Sequence, residues 1–584
     1  MYQQTESPAI TRHFVNLGEM QVHVRIAGTG PAAVMLHQSP TSSAEMATDI
    51  EVCAADFSVV AIDLPGYGLS DPLPDEHPDI GAFARVIERV ITALGIDRTV
   101  VYGFHTGAIV AFEFARLFPE RCSGAVVNGL VCIEGDELAD LLAHYNVLPE
   151  VTAEGAHLPW LWARLRDQTL FFPWYRKTPE ARMTLDLHDG TFLHPYLVDF
   201  LRAKEGGRPG YQAAFSYPTR EFAPQIDAPV FLINFEPDPL TSHPERLPEF
   251  PACVTRKVFA DFTELHYASL AYMREHAAAE VELSRCSVGE FSGRFRKEVV
   301  NTHAGPVFLR TTAPAEGGTV VLLHDAGASS NSMLPLAERL ADAFGGRRRV
   351  ICIDLPGHGE TGALQLPVYS ASTIAILIAM VLDKLGESSA EIIAEGAAAL
   401  IANELATAGK FAVERLVVID PWFFLADERE RIAGSYAPKL MPGDYGQHLL
   451  EAWYYARDSE LYWPWNEPHP QNALSRAPDI DPQHVQARTL EVLKAGISFP
   501  RLVRELLSVD FDRSFTQPEC AAIVCARTGN GHEARVREVA RLNAQAQFQL
   551  LPAARDECFA AVVELLKRSP EFGHNNAREP RTPG

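Results

Sequence analysis

Three side chains in the amino-terminal half combine reactive types with settings that could expose them. His105 stands between glycines in Gly103-Phe104-His105-Thr106-Gly107, just after the apolar run Thr99 to Tyr102. Asp238 closes the segment Phe231-Leu-Ile-Asn-Phe-Glu-Pro-Asp238, with Glu236 as a competing acid on the same stretch. His266 follows in Phe262-Thr-Glu-Leu-His266-Tyr. An imidazole can be neutral near pH 7, so it can attack an activated carbonyl itself or take a proton from water. Taken alone, a single His105 reads as a packing residue; its place between two glycines sets it apart. A metal site built from His105 and His266 has no third ligand at recognisable spacing. His157, His188 and His194 fall in an aromatic-rich stretch and read as surface or packing residues.

The elements that must position these residues alternate. Ala33 to Leu36, Val59 to Ile62, Thr99 to Tyr102, Ala125 to Val127 and Val230 to Ile233 read as buried parallel strands. Helix-period stretches such as Ile80 to Leu94 and Ile109 to Leu117 lie between them. This pattern predicts an α/β fold, a mostly parallel sheet with helices on both faces. Residues 130–218 break the alternation; rich in Trp, Phe and Leu, they read as a helical lid insertion.

The chain then repeats itself. Ala61-Ile-Asp63-Leu-Pro-Gly66-Tyr-Gly68 recurs as Cys352-Ile-Asp354-Leu-Pro-Gly357-His-Gly359, an offset of 291. His157, Trp162, Arg166-Asp167 and Pro173-Trp174 recur as His448, Trp453, Arg457-Asp458 and Pro464-Trp465 at the same offset. Leu36-His37 matches Leu323-His324 at an offset of 287. A chain of 584 residues exceeds the roughly 250–300 that one core supports, which also calls for two domains. The expected plan is a domain over 10–277, a linker over 278–293, a second domain over 294–570 with its lid at 423–515, and a disordered tail over 571–584.

Asp63-Leu-Pro-Gly-Tyr-Gly-Leu-Ser70, Phe118-Pro-Glu-Arg121 and the strand–turn–helix at 99–117 resemble the α/β-hydrolase superfamily. Both halves resemble it, so the chain is similar to a tandem, or double, α/β hydrolase. That family presents its nucleophile on a strained Gly-x-Ser-x-Gly elbow. Here the glycines are kept and His105 replaces the serine. The resemblance implies Asp238 as the acid and His266 as the histidine, giving the set His105, Asp238 and His266. It also implies an oxyanion hole after His37. Gln38 replaces the usual glycine there, and the backbone N–H groups of Ser39 and Thr106 are its candidates.

The second half departs at every such position. Gly396 stands in the elbow Ala394-Glu395-Gly396-Ala397-Ala398, Asn530 replaces the acid and Cys558 replaces the histidine. It reads as a structural half that packs with its twin as an intramolecular pseudo-dimer; further homo-oligomerisation stays open. The recurring Arg166-Asp167 reads as a salt bridge holding the lid. Trp160, Trp162, Phe171, Phe172, Trp174 and Tyr175 either line an apolar pocket or pack the lid.

Composition narrows the function. With 51 Lys+Arg against 75 Asp+Glu the net charge is −24, which repels nucleic-acid backbones. Nine scattered cysteines without a Cys-x-x-Cys pair suit a reducing compartment. No export signal or run of 18 apolar residues is visible, so a cytoplasmic protein without a membrane anchor is expected. The reading is a cofactor-free, metal-free hydrolase of an ester or other activated carbonyl in a small apolar or aromatic molecule. A carbon–carbon-cleaving or lyase member and an inactive ligand-binding protein of the same fold are the alternatives.

Overall fold

The computed structural model describes residues 9–283, 289–366 and 368–568. The linker expected at 278–293 lies partly, and the tail expected at 571–584 wholly, outside the described residues.

Two separate sheets form. The first holds β1 (Thr11–Asn16), β2 (Gln21–Ala27), β3 (Gly30–Leu36), β4 (Ser58–Ile62), β5 (Thr99–Phe104), β6 (Cys122–Asn128), β7 (Val230–Phe235) and β8 (Val254–Phe259). Their order is β1-β2-β4-β3-β5-β6-β7-β8, and the short β9 (Glu280–Val281) adds antiparallel to β3. From β4 through β8 the neighbours are parallel. The second sheet holds β10 (Arg296–Thr302), β11 (Gly305–Thr311), β12 (Thr319–Leu323), β13 (Arg349–Ile353), β14 (Ser389–Glu395), β15 (Ala412–Ile419), β16 (Ala521–Arg527) and β17 (Ala546–Leu551). Its order, β10-β11-β13-β12-β14-β15-β16-β17, reproduces the first strand for strand.

The apolar runs explain the burial. Every residue of β4 and β6 is buried, as a parallel strand covered on both faces requires. Successive side chains point to opposite faces. Val34, Leu36, Val60, Ile62, Val101 and Val127 join one core with Phe83, Ile87 and Phe112 of the helices Ile80–Ala93 and Thr106–Leu117. Ala33, Met35, Val59, Ala61, Val100 and Val126 join the other with Met46, Ile50, Leu265 and Met273. In register, Leu36 pairs with Gly103, Phe104 with Asn128 and Asn128 with Ile233. The carboxyl ends of β3, β5, β6 and β7 are therefore level, and the site lies just beyond them.

Compact units do not divide at the join between repeats. One unit contains the residues up to Phe308 together with Pro438–Arg457 and Ile480–Ile497; the other contains Leu309–Ala437, Asp458–Asp479 and the residues from Ser498 on. Two pieces of the second lid thus belong to the first unit. The reason is reciprocal aromatic packing. The Trp453 ring lies edge-on to His157 at 5.1 Å, and the Trp162 ring to His448 at 5.2 Å. Trp162 Nε1 donates to the Asp444 carbonyl, His157 Nε2 bonds Gln486 Oε1 at 2.7 Å, and His194 Nδ1 meets His448 Nε2 at 3.1 Å.

These contacts make Trp162 a lid-packing residue; Trp174, which donates to the Tyr145 carbonyl, packs likewise. The expected Arg166–Asp167 bridge does not form. Adjacent helical residues point in different directions. Asp167 pairs with Lys177 at 2.5 Å, and the Arg166 guanidinium lies over the Tyr445 ring.

Candidate active site

His105 occupies the turn between β5 and the helix Thr106–Leu117, with φ +47° and ψ −109°. Only one other non-glycine among the described residues, Asp420, has positive φ. Such a backbone costs on the order of 1–3 kcal/mol and persists where its surroundings enforce it. Here they do. The His105 N–H donates to the Asn128 carbonyl at 2.9 Å, and the His105 carbonyl accepts from Ile109. A Cβ on Gly107 would stand 2.2 Å from the Leu36 carbonyl oxygen, so only glycine lets the helix press against the end of β3. The imidazole stacks on Phe104 at 4.1 Å, and a side chain at Gly129 would collide with its Cδ2.

The structure pairs His105 directly with Asp238. Its Nε2 lies 2.6 Å from Asp238 Oδ2, and Asp238 Oδ1 accepts from the Leu240 N–H at 2.8 Å. Burial works against the charged form of each group, but the pairing outweighs it. The Asp238 charge and hydrogen bond, with a contribution from Glu45, lift His105 above its ordinary 6.5. His105, the Leu240 N–H and His243 hold Asp238 below its ordinary 3.8. With Nε2–H committed to Asp238, the remaining lone pair is on Nδ1. That nitrogen bonds no described residue, and 28% of the side chain is exposed.

His266 does not join this pair. Asp261 caps a helix by accepting from the Glu264 N–H, so Phe262–Glu275 is helical and His266 lies in its second turn rather than on a loop. Its Nδ1 pairs with Asp49 at 3.1 Å, and its Nε2 is buried with no hydrogen-bond partner among the described residues. The carboxylate that the family pattern assigns to this histidine instead holds His105. Glu236, the competing acid, has no side-chain bond to either histidine among the described residues.

The loop after β3 is clamped on both sides of Ser39. Ser39 Oγ bonds the Tyr67 hydroxyl at 2.6 Å, and the Tyr211 hydroxyl donates to the Ser39 carbonyl at 2.9 Å. Neither the Ser39 nor the Thr106 N–H donates to a described group. The Gln38 N–H does: it donates to Glu45 Oε1 at 3.0 Å, while Gln38 Nε2 donates to Glu45 Oε2 at 3.1 Å. Glu45 is absent from the sequence expectations because no spacing marks it. It stands on a single turn, Ser43–Met46, and enters the site only through the folded loop.

The second repeat shows what the matching N–H groups can hold. Asp325 Oδ1 accepts from Ala326 N–H at 2.8 Å and from Ala397 N–H at 2.7 Å. These residues match Ser39 and Thr106 at offsets of 287 and 291. One carboxylate oxygen thus bridges the two N–H groups that match the candidate pair of the first repeat. Asp420, at the position of Gly129, binds Arg527 Nε and Asn530 Nδ2. Burial pushes the Cys558 thiol up to about 12, so it is not a nucleophile near neutrality.

A mostly parallel sheet with helices on both faces and a strained strand–turn–helix elbow above its carboxyl edge matches the hydrolase-type α/β fold. Residues 31–271 match the family described as alpha/beta hydrolase fold, and residues 320–558 match the alpha/beta hydrolase family. The chain belongs to the alpha/beta hydrolase superfamily and carries two of its domains in tandem.

Among curated relatives it is 30% identical over 138 residues to a 2-hydroxy-6-oxononadienedioate/2-hydroxy-6-oxononatrienedioate hydrolase of Klebsiella pneumoniae, covering 22% of this chain and 48% of that one. It is 28% identical over 131 residues to a 2-hydroxy-6-oxo-6-phenylhexa-2,4-dienoate hydrolase of Burkholderia cepacia, covering 22% and 46%. The chain thus spans about half the length of these relatives. Among solved structures, the enol-lactonase of Burkholderia xenovorans matches at 16% identity with a TM-score of 0.34, over 44% of this chain and 96% of that one. Epoxide hydrolase A of Mycobacterium thermoresistibile matches at 16% with a TM-score of 0.37, over 46% and 98%. No described helix is long and apolar enough to cross a membrane.

Proposed function

We propose that the first repeat hydrolyses an activated carbonyl compound, with His105 as general base and Asp238 as the group that orients it. The 2.6 Å bond between His105 Nε2 and Asp238 Oδ2 carries the reading. It fixes the tautomer with Nε2–H on Asp238 and leaves Nδ1 to receive a proton. Water loses a proton to Nδ1 as its oxygen bonds to the carbonyl carbon. The resulting oxyanion accepts hydrogen bonds from Ser39 and Thr106 N–H. When the bond to the leaving group breaks, that group takes the proton back from Nδ1, and a carboxylic acid is released. Asp238 stays ionised throughout and stabilises the imidazolium. The convergence of the matching N–H groups on Asp325 supports the placement of the hole.

The substrate class is a small ester or an oxo acid. The names of the relatives, hydrolases of 2-hydroxy-6-oxo dienoates, support the second. In that case a carbon leaving group takes the proton and a carbon–carbon bond is cleaved. The second repeat is a structural partner whose site is closed, and its lid completes that of the first. The reading is tested with short aryl esters and an aryl 6-oxo dienoate, using the full chain beside His105→Ala and Asp238→Asn. Turnover in the parent and loss in both variants is expected. Full activity in His105→Ala would discard it.

A further inference from the structure

Among the described residues, Glu45 bonds the loop after β3 and also acts electrostatically on His105. We infer that Glu45 is a positioning residue for the chemistry at the elbow: its two bonds to Gln38 fix the peptide that precedes Ser39. This rests on the hydrolase reading given above.

A geometric observation carries it and an electrostatic one supports it. Gln38 stands where the superfamily pattern has glycine, and Glu45 takes both its main-chain N–H and its side-chain amide. The Gln38 side chain is therefore turned onto Glu45. In the second repeat the pair changes together. Asp325 replaces Gln38, Ser332 replaces Glu45, and the Asp325 carboxylate turns onto Ala326 and Ala397 N–H instead. The loop thus presents its N–H pair with the flanking side chain turned either outward or inward. Glu45 accounts for the outward form.

The second observation is electrostatic. Loss of hydration where Glu45 faces the loop and the lid pushes its carboxyl up to about 7, against the bonds from Thr41 and Gln38. Asp199, on the lid helix Gly190–Arg202, pushes the same way. Other titratable groups on which it acts include His105, Tyr102, Tyr196 and Tyr211. Of these only His105 changes charge near neutrality, and Glu45, once ionised, favours its protonated form.

The experiment uses the full chain with Glu45→Gln and Glu45→Asp. The His105 imidazole is titrated by NMR, and aryl-ester turnover is followed against pH. Glu45→Gln should lower the His105 midpoint and move the acid limb of kcat to lower pH. Its kcat should fall about tenfold with little change in KM, a smaller loss than removal of an oxyanion donor itself. Glu45→Asp keeps the charge but shortens the reach, so kcat should fall while the midpoint stays. It carries the test if Glu45→Gln melts early. A His105 midpoint shift in a protein without ester turnover would uphold the placement of Glu45 and remove the hydrolase reading instead. Unchanged kcat in a folded Glu45→Gln chain would overturn the inference.

Discussion

Asp325 fills the space beside Gly396 in the second repeat, where a Cβ on Gly396 would stand 2.2 Å from the Asp325 carboxyl carbon. The elbow of that repeat has thus lost its side chain, and the vacated space holds an anion on the Ala326 and Ala397 N–H groups. Gly396→Ser should leave turnover unchanged but lower the melting temperature, with an overpacking cost of about 1–3 kcal/mol. Asp325→Gly in the same chain should recover the part due to this collision, while the φ of +59° at position 396 keeps the rest. Equal melting of the single and double variants would contradict this geometry.

The His105–Asp238 pair should dominate activity. His105→Ala removes the base, and Asp238→Asn frees the imidazole to adopt the wrong tautomer. Each should lower kcat/KM by about 10²- to 10⁴-fold, the range of general-base catalysis. His266→Ala should cost less than about tenfold, because His266 bonds Asp49 rather than the pair. Steady-state kinetics on the three variants decide this; a collapse in His266→Ala alone would return that residue to the centre of the mechanism.

The pH dependence follows from the same pair. A base must lose its proton to work, so kcat/KM should rise with pH through a midpoint above 6.5. Asp238→Asn removes the largest attraction for that proton, and its limb should move to lower pH. Stability behaves differently. His105 binds its proton more tightly when folded, so its contribution is complete below 6.5 and fades as pH rises through the elevated value. Asp238 is depressed, so its contribution is complete above 3.8 and fades as pH falls through the lowered value. The melting gap between parent and His105→Ala should therefore be widest between 3.8 and 6.5.

The lid helices predict how the chain tolerates cutting. A chain ending at Phe308 lacks Pro438–Arg457 and Ile480–Ile497, which belong to the first compact unit. Trp162 then loses His448 and the Asp444 carbonyl, and His157 loses Trp453 and Gln486. Such a chain should bind hydrophobic dyes and aggregate. Trp453→Ala in the full chain should cost about 3–5 kcal/mol, as truncations of a buried ring do. Wild-type melting of Trp453→Ala would refute the packing.

Burial of Cys558 gives a chemical test. Its thiol, pushed up to about 12, should resist iodoacetamide in the folded chain and react on unfolding. Cys558→Ala should leave turnover intact.

Much of this architecture was legible in the residue order. Apolar runs and helical periodicity are local, so β3 to β7 and the helices between them follow from short windows. A constant offset near 291 is a property of the chain alone, and it gave the duplicated sheet its matching strand order. The glycines around His105 likewise placed it on the turn that the fold exposes. Tertiary structure alone decided which side chains meet. His105 and Asp238 are 133 residues apart, and their bond depends on how β5 and β7 align at the sheet edge. A cap at Asp261 carried His266 into a helix and toward Asp49. Glu45 and Asp325 matter because a folded loop turns one onto Gln38 and the other onto two backbone N–H groups. Pairing of distant groups is set by packing and electrostatics that no local spacing records.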